Sequence, residues 1–467
     1  MRTVWLAGCF AFGVFAHGSA LMAATEPPPP AYRPLRYEED WRVLRTSTRA
    51  ADLWDPVKFI PLNAEGTSFL SLGGEVRLRL ELFNPPGFGL RGTPVEDFLL
   101  SRTYLHADVH VGELLRAFVQ VGLADQTGRD TPTLPTDRNG FDLAQGFVDV
   151  VPLDTAELGL NLRIGRQEMT YGTNRLFALR DAANWRRNYD GFRATVRSGE
   201  VRLDGFWVRP VLIGPGSLDD RSDDREQFWG VYTVVPARVL PEGRADLFYL
   251  GIDRRSATFA LGTAPEVRHT FGTRLWGNPA PWNYELEAIF QTGTFGNQAI
   301  RAWTLASNVT YTFTNVPLTP TLGLRLTAAS GDDDPSDGVL ETFNPLFPNP
   351  TAVSPAAAVS PTNFFEIHPS LELHPARNLT FNLDWNVLWK LATRDAIYRP
   401  PGLAILTSRT SNNQSWIGHQ LVAQSQWQID RHLSLVAVYV YFFSGNAITD
   451  AGGRDLEFVG SWLTYRF

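Results

Sequence analysis

Apolar and polar residues alternate at every second position over long stretches of this chain. In residues 69–83 one set of side chains is aliphatic and the other is charged or small. The aliphatic set is Leu70, Leu72, Val76, Leu78, Leu80 and Leu82, and the opposite set is Ser71, Glu75, Arg77, Arg79 and Glu81. A period of two residues is typical of a β-strand with two different faces. The charged face must therefore meet water, either around a soluble sheet or inside a membrane pore.

The same period recurs along the chain and predicts about 18 strands. After residues 99–111 and 115–123, the predicted strands are centred near residues 146, 161, 193, 204, 229, 248, 272, 287, 306, 324, 368, 384, 422, 437 and 461. Beyond the N-terminal leader, no run of about 20 apolar residues could form a membrane-spanning helix. An even number of half-apolar strands is typical of a bacterial transmembrane β-barrel.

The predicted connections alternate between short and long. The short ones are residues 112–113, 152–155, 198–199, 278–281, 315–318, 375–378 and 429–431. The long ones are residues 84–97, 125–140, 168–187, 210–223, 254–267, 331–362, 391–415 and 444–454. Outer-membrane barrels join their strands by short periplasmic turns and longer extracellular loops. The sequence therefore predicts an all-β fold, a transmembrane antiparallel β-barrel in the bacterial outer membrane, surrounded by its lipid.

Both ends of the chain agree with export to that membrane. Residues 1–24 combine Arg2, a short apolar run and small residues, which predicts a secretory signal peptide. We expect residues 25–66 to form a periplasmic N-terminal segment and residues 67–467 to form the barrel. The last strand ends at Phe467 and resembles the closing strand of bacterial outer-membrane barrels. Cys9, the one cysteine, lies in the leader, so the mature chain is expected to hold no disulfide.

Charge and motifs exclude several other functions. The net charge of −7 argues against a nucleic-acid partner, which usually needs a basic face. The chain has no Gly-x-Ser-x-Gly nucleophile elbow, and we predict neither an enzyme nor a cofactor. Asp332, Asp333, Asp334 and Asp337 offer oxygen ligands that calcium could use. Their spacing is not that of an EF-hand loop, and the preferred interpretation is a solvated surface loop without a metal.

A barrel of about 18 strands encloses a lumen that its wall side chains cannot fill. Residues 168–187, EMTYGTNRLFALRDAANWRR, mix arginines with aromatic residues, and we predict that this loop folds inward as a constriction. The loop 331–362 is longer and rich in Pro and Ala, which favours a surface lid or a disordered crown. The N-terminal segment is expected at the periplasmic mouth, either tucked into the barrel or in contact with a partner.

Strand parity places many arginines on the lumen face. They are Arg77, Arg79, Arg102, Arg116, Arg163, Arg193, Arg202, Arg274 and Arg325, and the inward loop adds Arg175, Arg180, Arg186 and Arg187. Arginine binds carboxylates through its planar fork, so these residues suit a path for a polyuronate. The alternative is that they brace the wall by pairing with acids such as Glu75 and Asp149. Arg166 and Glu168 lie off the parity of their strand and indicate a bulge or the start of the inward loop.

Four stretches resemble the alginate-export family of outer-membrane porins. They are residues 32–44 (YRPLRYEEDWRVL), 58–62 (KFIPL), 71–83 (SLGGEVRLRLELF) and 164–193 (IGRQEMTYGTNRLFALRDAANWRRNYDGFR). The resemblance implies a monomeric barrel that conducts an anionic polymer through an Arg-lined constriction. It makes Arg166 and Glu168 candidates for that constriction, although a salt bridge that anchors the loop is an equal alternative.

The function that this resemblance implies is export of an anionic polysaccharide such as alginate. Its expected partners are that polysaccharide or an oligouronate, together with a periplasmic export complex. The alternative is an uptake porin, general or substrate-specific, for small acidic solutes. Both functions share every feature of the fold, and the sequence does not reveal the direction of transport.

Overall fold

A computed structural model describes residues 30–45, 52–90, 92–129, 131, 133–400, 404–408 and 412–467. The predicted signal peptide lies outside these residues. The long strands, numbered β1 to β18 in chain order, are Phe69–Asn84, Glu96–Val111, Leu115–Thr127, Asn139–Asp154, Leu158–Gln167, Tyr189–Ser198, Val201–Leu212, Glu226–Pro236, Arg244–Phe259, Gly262–Gly277, Trp282–Phe295, Gln298–Thr312, Thr321–Ala329, Phe364–Ala376, Leu379–Trp389, Trp416–Gln428, Leu433–Ser444 and Leu456–Arg466.

The remaining regular elements are short. Two α-helical turns are Asp55–Lys58 (α1) and Asn446–Thr449 (α2), and three 3-10 turns are Arg36–Glu38, Arg42–Arg45 and Pro86–Gly89. Strand fragments of two to four residues are Ile60–Pro61, Arg221–Ser222, Val339–Leu340, Ile397–Arg399 and Ala404–Thr407. Among the helices in the described part of the chain, none is long and apolar enough to cross a membrane.

The eighteen strands form a closed antiparallel barrel. Each strand pairs with its neighbours in sequence, and β1 pairs with both β2 and β18, which closes the sheet. The closing register runs from Glu75 opposite Arg466 to Asn84 opposite Glu457. Every predicted strand centre lies within an observed strand, so the prediction of an 18-stranded barrel is confirmed. We call the end of the barrel that holds Phe467 and the N-terminal segment the terminal end, and the opposite end the loop end.

Alternation along each strand separates a lipid face from a lumen face. In β1, Leu78 and Leu80 are 46% and 53% exposed, whereas the alternating Arg77 and Arg79 are 4% and 6% exposed. Outward aliphatic and aromatic side chains repeat around the wall, for example Leu247, Phe271, Leu286, Leu305, Leu322, Leu383 and Leu421. Such side chains belong in hydrocarbon, and the charged ones belong in the interior. The buried arginines show that protein, and not open water alone, fills much of this interior.

One of the predicted long loops is not present in the structure, so that prediction is wrong. Residues 254–267 were expected to form a long extracellular loop, but β9 and β10 continue through them and meet in a tight turn at Ala260 and Leu261. Arg254 and Glu266 in this stretch face the lumen, whereas Arg255, Ser256, Thr258 and Thr263 are exposed. Arg254 pairs with Glu226 at 3.2 Å and with Glu266 at 3.7 Å.

Two loops fold into the lumen from the loop end. The first inward loop, residues 168–188, was predicted to do so. The second inward loop, residues 330–363, was predicted as a surface lid or crown, and this prediction is wrong. Its Phe343 and Phe347 are 1% and 3% exposed, and they belong to a core that includes Phe228 of β8. Apolar side chains of this loop gain more from contact with lumen aromatics than from exposure to water.

Candidate functional site

The first inward loop is attached to the wall through its backbone carbonyl groups. Arg77 donates to the carbonyl oxygens of Asp181 at 2.7 Å and Ala183 at 3.0 Å, and Arg79 donates to that of Ala182. Charge-assisted hydrogen bonds of this kind are about twice as strong as neutral ones. Arg77 and Arg79 therefore face the lumen, and their guanidinium groups hold the loop in place.

Buried charges of the loop and the wall form one network around Glu75. This carboxylate accepts hydrogen bonds from Arg102 and, at 2.8 Å, from Arg466. Arg186 of the loop lies 3.6 Å from Glu75 and donates at 2.6 Å to Asp181. The proximity of Asp181 and Glu75 raises the pKa of Arg186 well above its ordinary value, against the effect of burial. The network fixes the loop against β1, β2 and β18.

Glu168 lies where the first inward loop leaves the wall. Strand β5 ends at Gln167, so Glu168 begins the loop, and its backbone N–H donates to Gln145 of the wall at 3.1 Å. Its carboxylate is fully buried and lies 3.6 Å from Arg186. Burial raises the pKa of this carboxyl to about 7, and Arg186 opposes the rise. Both groups belong to the base of the loop.

The N-terminal segment, residues 30–45 and 52–68, is tucked into the barrel at the terminal end. Arg36 donates to the backbone oxygens of Gly74 at 2.8 Å and Phe467 at 2.9 Å. Tyr37 donates at 2.9 Å to the carbonyl oxygen of Glu168 and packs with Phe118 and Phe147 of the wall. The segment thus reaches the base of the first inward loop and obstructs the terminal end beneath it.

A pair of glycines makes room for this segment, and sequence reasoning missed it. A Cβ atom at Gly73 would lie 2.5 Å from Nζ of Lys58, and one at Gly74 would lie 2.7 Å from the ring of Phe467. Glycine inside a strand often marks a place where other parts of the chain approach closely. The two glycines in the sequence SLGGEV therefore indicated that another part of the chain packs closely against β1 at Gly73 and Gly74.

Lys58 of the N-terminal segment is fully buried and has no hydrogen-bond partner among the described residues. Its ammonium group lies 5.0 Å from the ring centre of Trp41 and 5.4 Å from that of Tyr32. Burial lowers the pKa of Lys58 to about 7, Arg36 lowers it further, and Glu39 opposes them. The aromatic rings compensate only part of the lost hydration.

Docking of the N-terminal segment is expected to depend on pH through Lys58. When the segment is released, this lysine has an ordinary pKa near 10.4, so docking releases a proton between about pH 7 and pH 10. Raising the pH through this range favours the docked segment, and below about pH 7 the effect of Lys58 is constant. We predict fewer and shorter channel openings at pH 9 than at pH 7.5. Single-channel recordings of the wild type and of Lys58→Met, which should lose this dependence, test the prediction.

The two inward loops are joined to each other. The N–H of Ala178 donates to the carbonyl oxygen of Phe347 at 3.0 Å, and the N–H of Phe347 donates to that of Leu176 at 2.9 Å. Wall amides hold the second loop as well, because Gln291 donates to Asn344 at 2.7 Å and Gln420 to Val353 at 3.2 Å. Together the loops form a barrier across much of the lumen.

Several predicted pore-lining residues brace the wall. Arg163 makes two hydrogen bonds to Asp149 at 2.7 and 2.8 Å. Arg175 of the first inward loop donates to Glu287 at 2.6 Å and so attaches the loop to the wall. Other ion pairs on the lumen face join Arg116 to Asp108, Arg202 to Asp204, Arg274 to Asp246 and Glu285, and Arg325 to Glu366.

Arg166 anchors a loop, which was one of its two predicted roles. Its guanidinium group binds the carboxylate of Asp190 through two hydrogen bonds of 2.8 and 3.0 Å. Asp190 lies directly opposite Arg166 on β6, and the same guanidinium donates at 3.3 Å to the carbonyl oxygen of Asp220. The two strands that flank the first inward loop are therefore tied together where the loop begins and ends.

Three other predicted residues have no carboxylate within ion-pair distance in the described part of the chain. Arg193 is 9% exposed and lies near the ring of Tyr37, and Arg187 lies over the ring of Phe347 at 4.8 Å. Arg180 is 6% exposed and lies on the first inward loop. These three side chains place positive charge around the barrier, and no carboxylate in the described part of the chain forms an ion pair with them.

The aspartates considered for calcium do not form a cluster. Asp332 is buried, whereas Asp333, Asp334 and Asp337 are exposed. Among the described residues, the acids that come together are Asp142, Asp219 and Asp220, with oxygens within 4.8 Å of one another. Asp142 there accepts hydrogen bonds from the backbone N–H groups of Leu143, Asp219 and Asp220. This grouping closes a loop and needs no metal to explain it.

A closed 18-stranded barrel with a lipid face and inward loops is an outer-membrane channel of the porin type. The sequence model for alginate export matches residues 68–461. The chain therefore belongs to the alginate export family. A comparison with curated protein sequences gave no significant match.

Solved structures of Pseudomonas aeruginosa porins share the fold. OccK8 (OprE) has a TM-score of 0.56 and 11% identity, and the alignment covers 85% of this chain and 98% of that one. OccK2 (OpdF) in complex with glucuronate gives 0.54 and 11%, with 85% and 96% covered. OpdK with vanillate gives 0.51 and 12%, with 85% and 98% covered. At this level of identity the comparison concerns the fold alone.

Proposed function

We propose that the protein is an anion-selective channel of the outer membrane that passes small carboxylates and has no catalytic activity. The observation that carries this proposal is the positive charge of Arg180, Arg187 and Arg193 around the barrier, which no described carboxylate pairs with. Fixed charge on low-dielectric walls raises the local concentration of the opposite ion. The structures of OccK2 with glucuronate and of OpdK with vanillate support the proposal, since both of those ligands are carboxylates.

A second candidate is export of an anionic polysaccharide such as alginate along the same Arg-lined path. The family match over residues 68–461 favours it. A polymer needs a continuous passage, so the N-terminal segment and the first inward loop would have to leave the lumen. A periplasmic export complex is the kind of partner that could displace the segment at the terminal end. The obstructed conformation therefore favours small solutes over a polymer.

The reversal potential of the refolded protein in a potassium chloride gradient tests anion selectivity. The wild type is expected to prefer chloride, and the double variant Arg187→Gln, Arg193→Gln should move the reversal potential toward zero. Arg225→Gln is the control, because that side chain is 59% exposed and pairs with Asp223 outside the barrier. A cation-selective wild type, or a double variant with unchanged selectivity, would contradict the proposal. Oligouronates of increasing length, added to each side in turn, separate small-solute passage from polymer export.

A further inference from the structure

A cavity of about 580 Å³ lies at the loop end, above the first inward loop. We call it the vestibule. Ala182 and Ala183 of the first inward loop border it, and β1, β2 and the second inward loop contribute to its sides. Its volume lies within the range of small-molecule sites, roughly 300–1,000 Å³. It is also the part of the proposed path that a solute would meet before the barrier.

The walls of the vestibule are largely apolar. Side chains that line it include Phe83, Leu90, Leu134, Pro350, Ala356 and Leu406. Its three acidic groups already have cations, because Glu81 pairs with Arg79, and both Asp137 and Glu96 pair with Arg129. An arriving ligand therefore meets mainly aliphatic and proline surface, together with the hydroxyl groups of four threonines.

Arg180 is the exception among the charged groups of the vestibule. It lines the cavity, is 94% buried, and has neither a hydrogen bond nor an ion pair from its side chain to any described residue. Burial and the nearby Arg187 lower the pKa of its guanidinium group from the ordinary value. Its backbone φ of +57° lies in the left-handed region, which arginine seldom adopts. A cation held in this way gains from the arrival of an anion.

We propose that the vestibule is a binding site for a monocarboxylate with an apolar body, aromatic or branched aliphatic, whose carboxylate binds Arg180. The inference rests on the proposed anion channel and names its substrate class. A planar guanidinium group can bind a carboxylate by two parallel hydrogen bonds. The ring or branched chain of the ligand would then cover the apolar walls and remove their surface from water.

The same walls disfavour a sugar acid. A uronate has hydroxyl groups around its ring, and each hydroxyl that is buried without a hydrogen-bond partner opposes binding. Most side chains that line the vestibule are leucine, proline and alanine; its hydroxyl groups are those of Thr93, Thr131, Thr136 and Thr351, and Thr131 already donates to Glu96. Benzoate matches this surface and glucuronate does not, although both carry a single carboxylate.

Equilibrium binding to the refolded full chain in detergent micelles tests the proposal without requiring conduction. Isothermal titration with benzoate and with glucuronate, at equal ionic strength, should show benzoate binding at least about tenfold tighter. Arg180→Gln should weaken benzoate binding by about tenfold or more, because it removes a charge-assisted pair. Arg225→Gln is the control for loss of one positive charge elsewhere and should leave the affinity unchanged.

Heat-modifiable migration on a gel establishes that each variant is folded. If Arg180→Gln does not fold, Leu134→Glu adds a repelling carboxylate to the wall at a partly exposed position and should weaken benzoate binding to a similar degree. Glucuronate binding as tight as benzoate, or benzoate binding that is insensitive to these variants, would overturn the proposal. Failure of both ligands to bind would overturn the site alone, since the reversal potential tests the channel separately.

Discussion

Removal of residues 25–66 is expected to raise the single-channel conductance at least about threefold, because the N-terminal segment obstructs the terminal end beneath the inward loops and an 18-stranded barrel is wide enough to conduct once that end is open. In the structure Arg36 and Lys58 are 4% and 0% exposed, so the N-terminal segment occupies lumen volume at the terminal end. The barrel itself should still form, since β1 and β18 close it without this segment. Recordings in planar bilayers of the full mature chain and the shortened chain measure the difference.

Point variants separate loss of the anchor from loss of the whole segment. Arg36→Gln removes the hydrogen bonds to Gly74 and Phe467 and should increase the frequency of open-channel events. Arg33→Gln is the matched control, because Arg33 is 59% exposed and only approaches Glu38 at 3.8 Å. If the shortened chain folds and conducts no better than the wild type, the N-terminal segment does not limit the current.

The strands could be predicted because the alternation of adjacent residues along the sequence is enough to assign each side chain to the lipid face or the lumen face. Leu78 and Arg77 are neighbours that point to opposite faces, and no distant contact is needed to assign them. The second inward loop could not be predicted in this way. Its Phe347 is buried only because residues far along the chain, such as Phe177 and Phe228, surround it.

The candidate site was predictable in its residue types but not in its pairings. Strand parity placed Arg163 and Arg193 on the lumen face, and it assigned the same role to both. The strand register distinguishes them. Arg163 lies opposite Asp149 on one neighbouring strand and opposite Arg193 on the other, and Asp149 binds Arg163. Arg193 is left with no carboxylate within ion-pair distance among the described residues. Such differences depend on which strand neighbours which, and alternation along one strand does not contain that information.

Glu75→Gln is expected to lower the free energy of unfolding by about 3–5 kcal/mol, the usual effect of removing one partner from a buried ion pair. Glu75 is 2% exposed and compensates Arg102, Arg466 and, at a longer distance, Arg186. The amide of glutamine can still accept a hydrogen bond, but it supplies no charge to these three cations. Asp181 would remain as the nearest carboxylate for Arg102 and Arg186. Urea unfolding in lipid vesicles, followed by tryptophan fluorescence, measures the change.

Glu113→Gln is the matched control, because Glu113 is exposed in the turn between β2 and β3 and its substitution should change stability by less than about 0.5 kcal/mol.

The ion-pair network around Glu75 also makes a prediction about conduction. With Glu75 neutral, the unpaired positive charge beside the first inward loop increases, so the preference for chloride should become stronger while the loop is held less firmly. A stability loss as small as that of the control would mean that the arginines around Glu75 are compensated by Asp181 alone, and that the anchoring of the loop to β1 rests on the carbonyl contacts of Arg77 and Arg79.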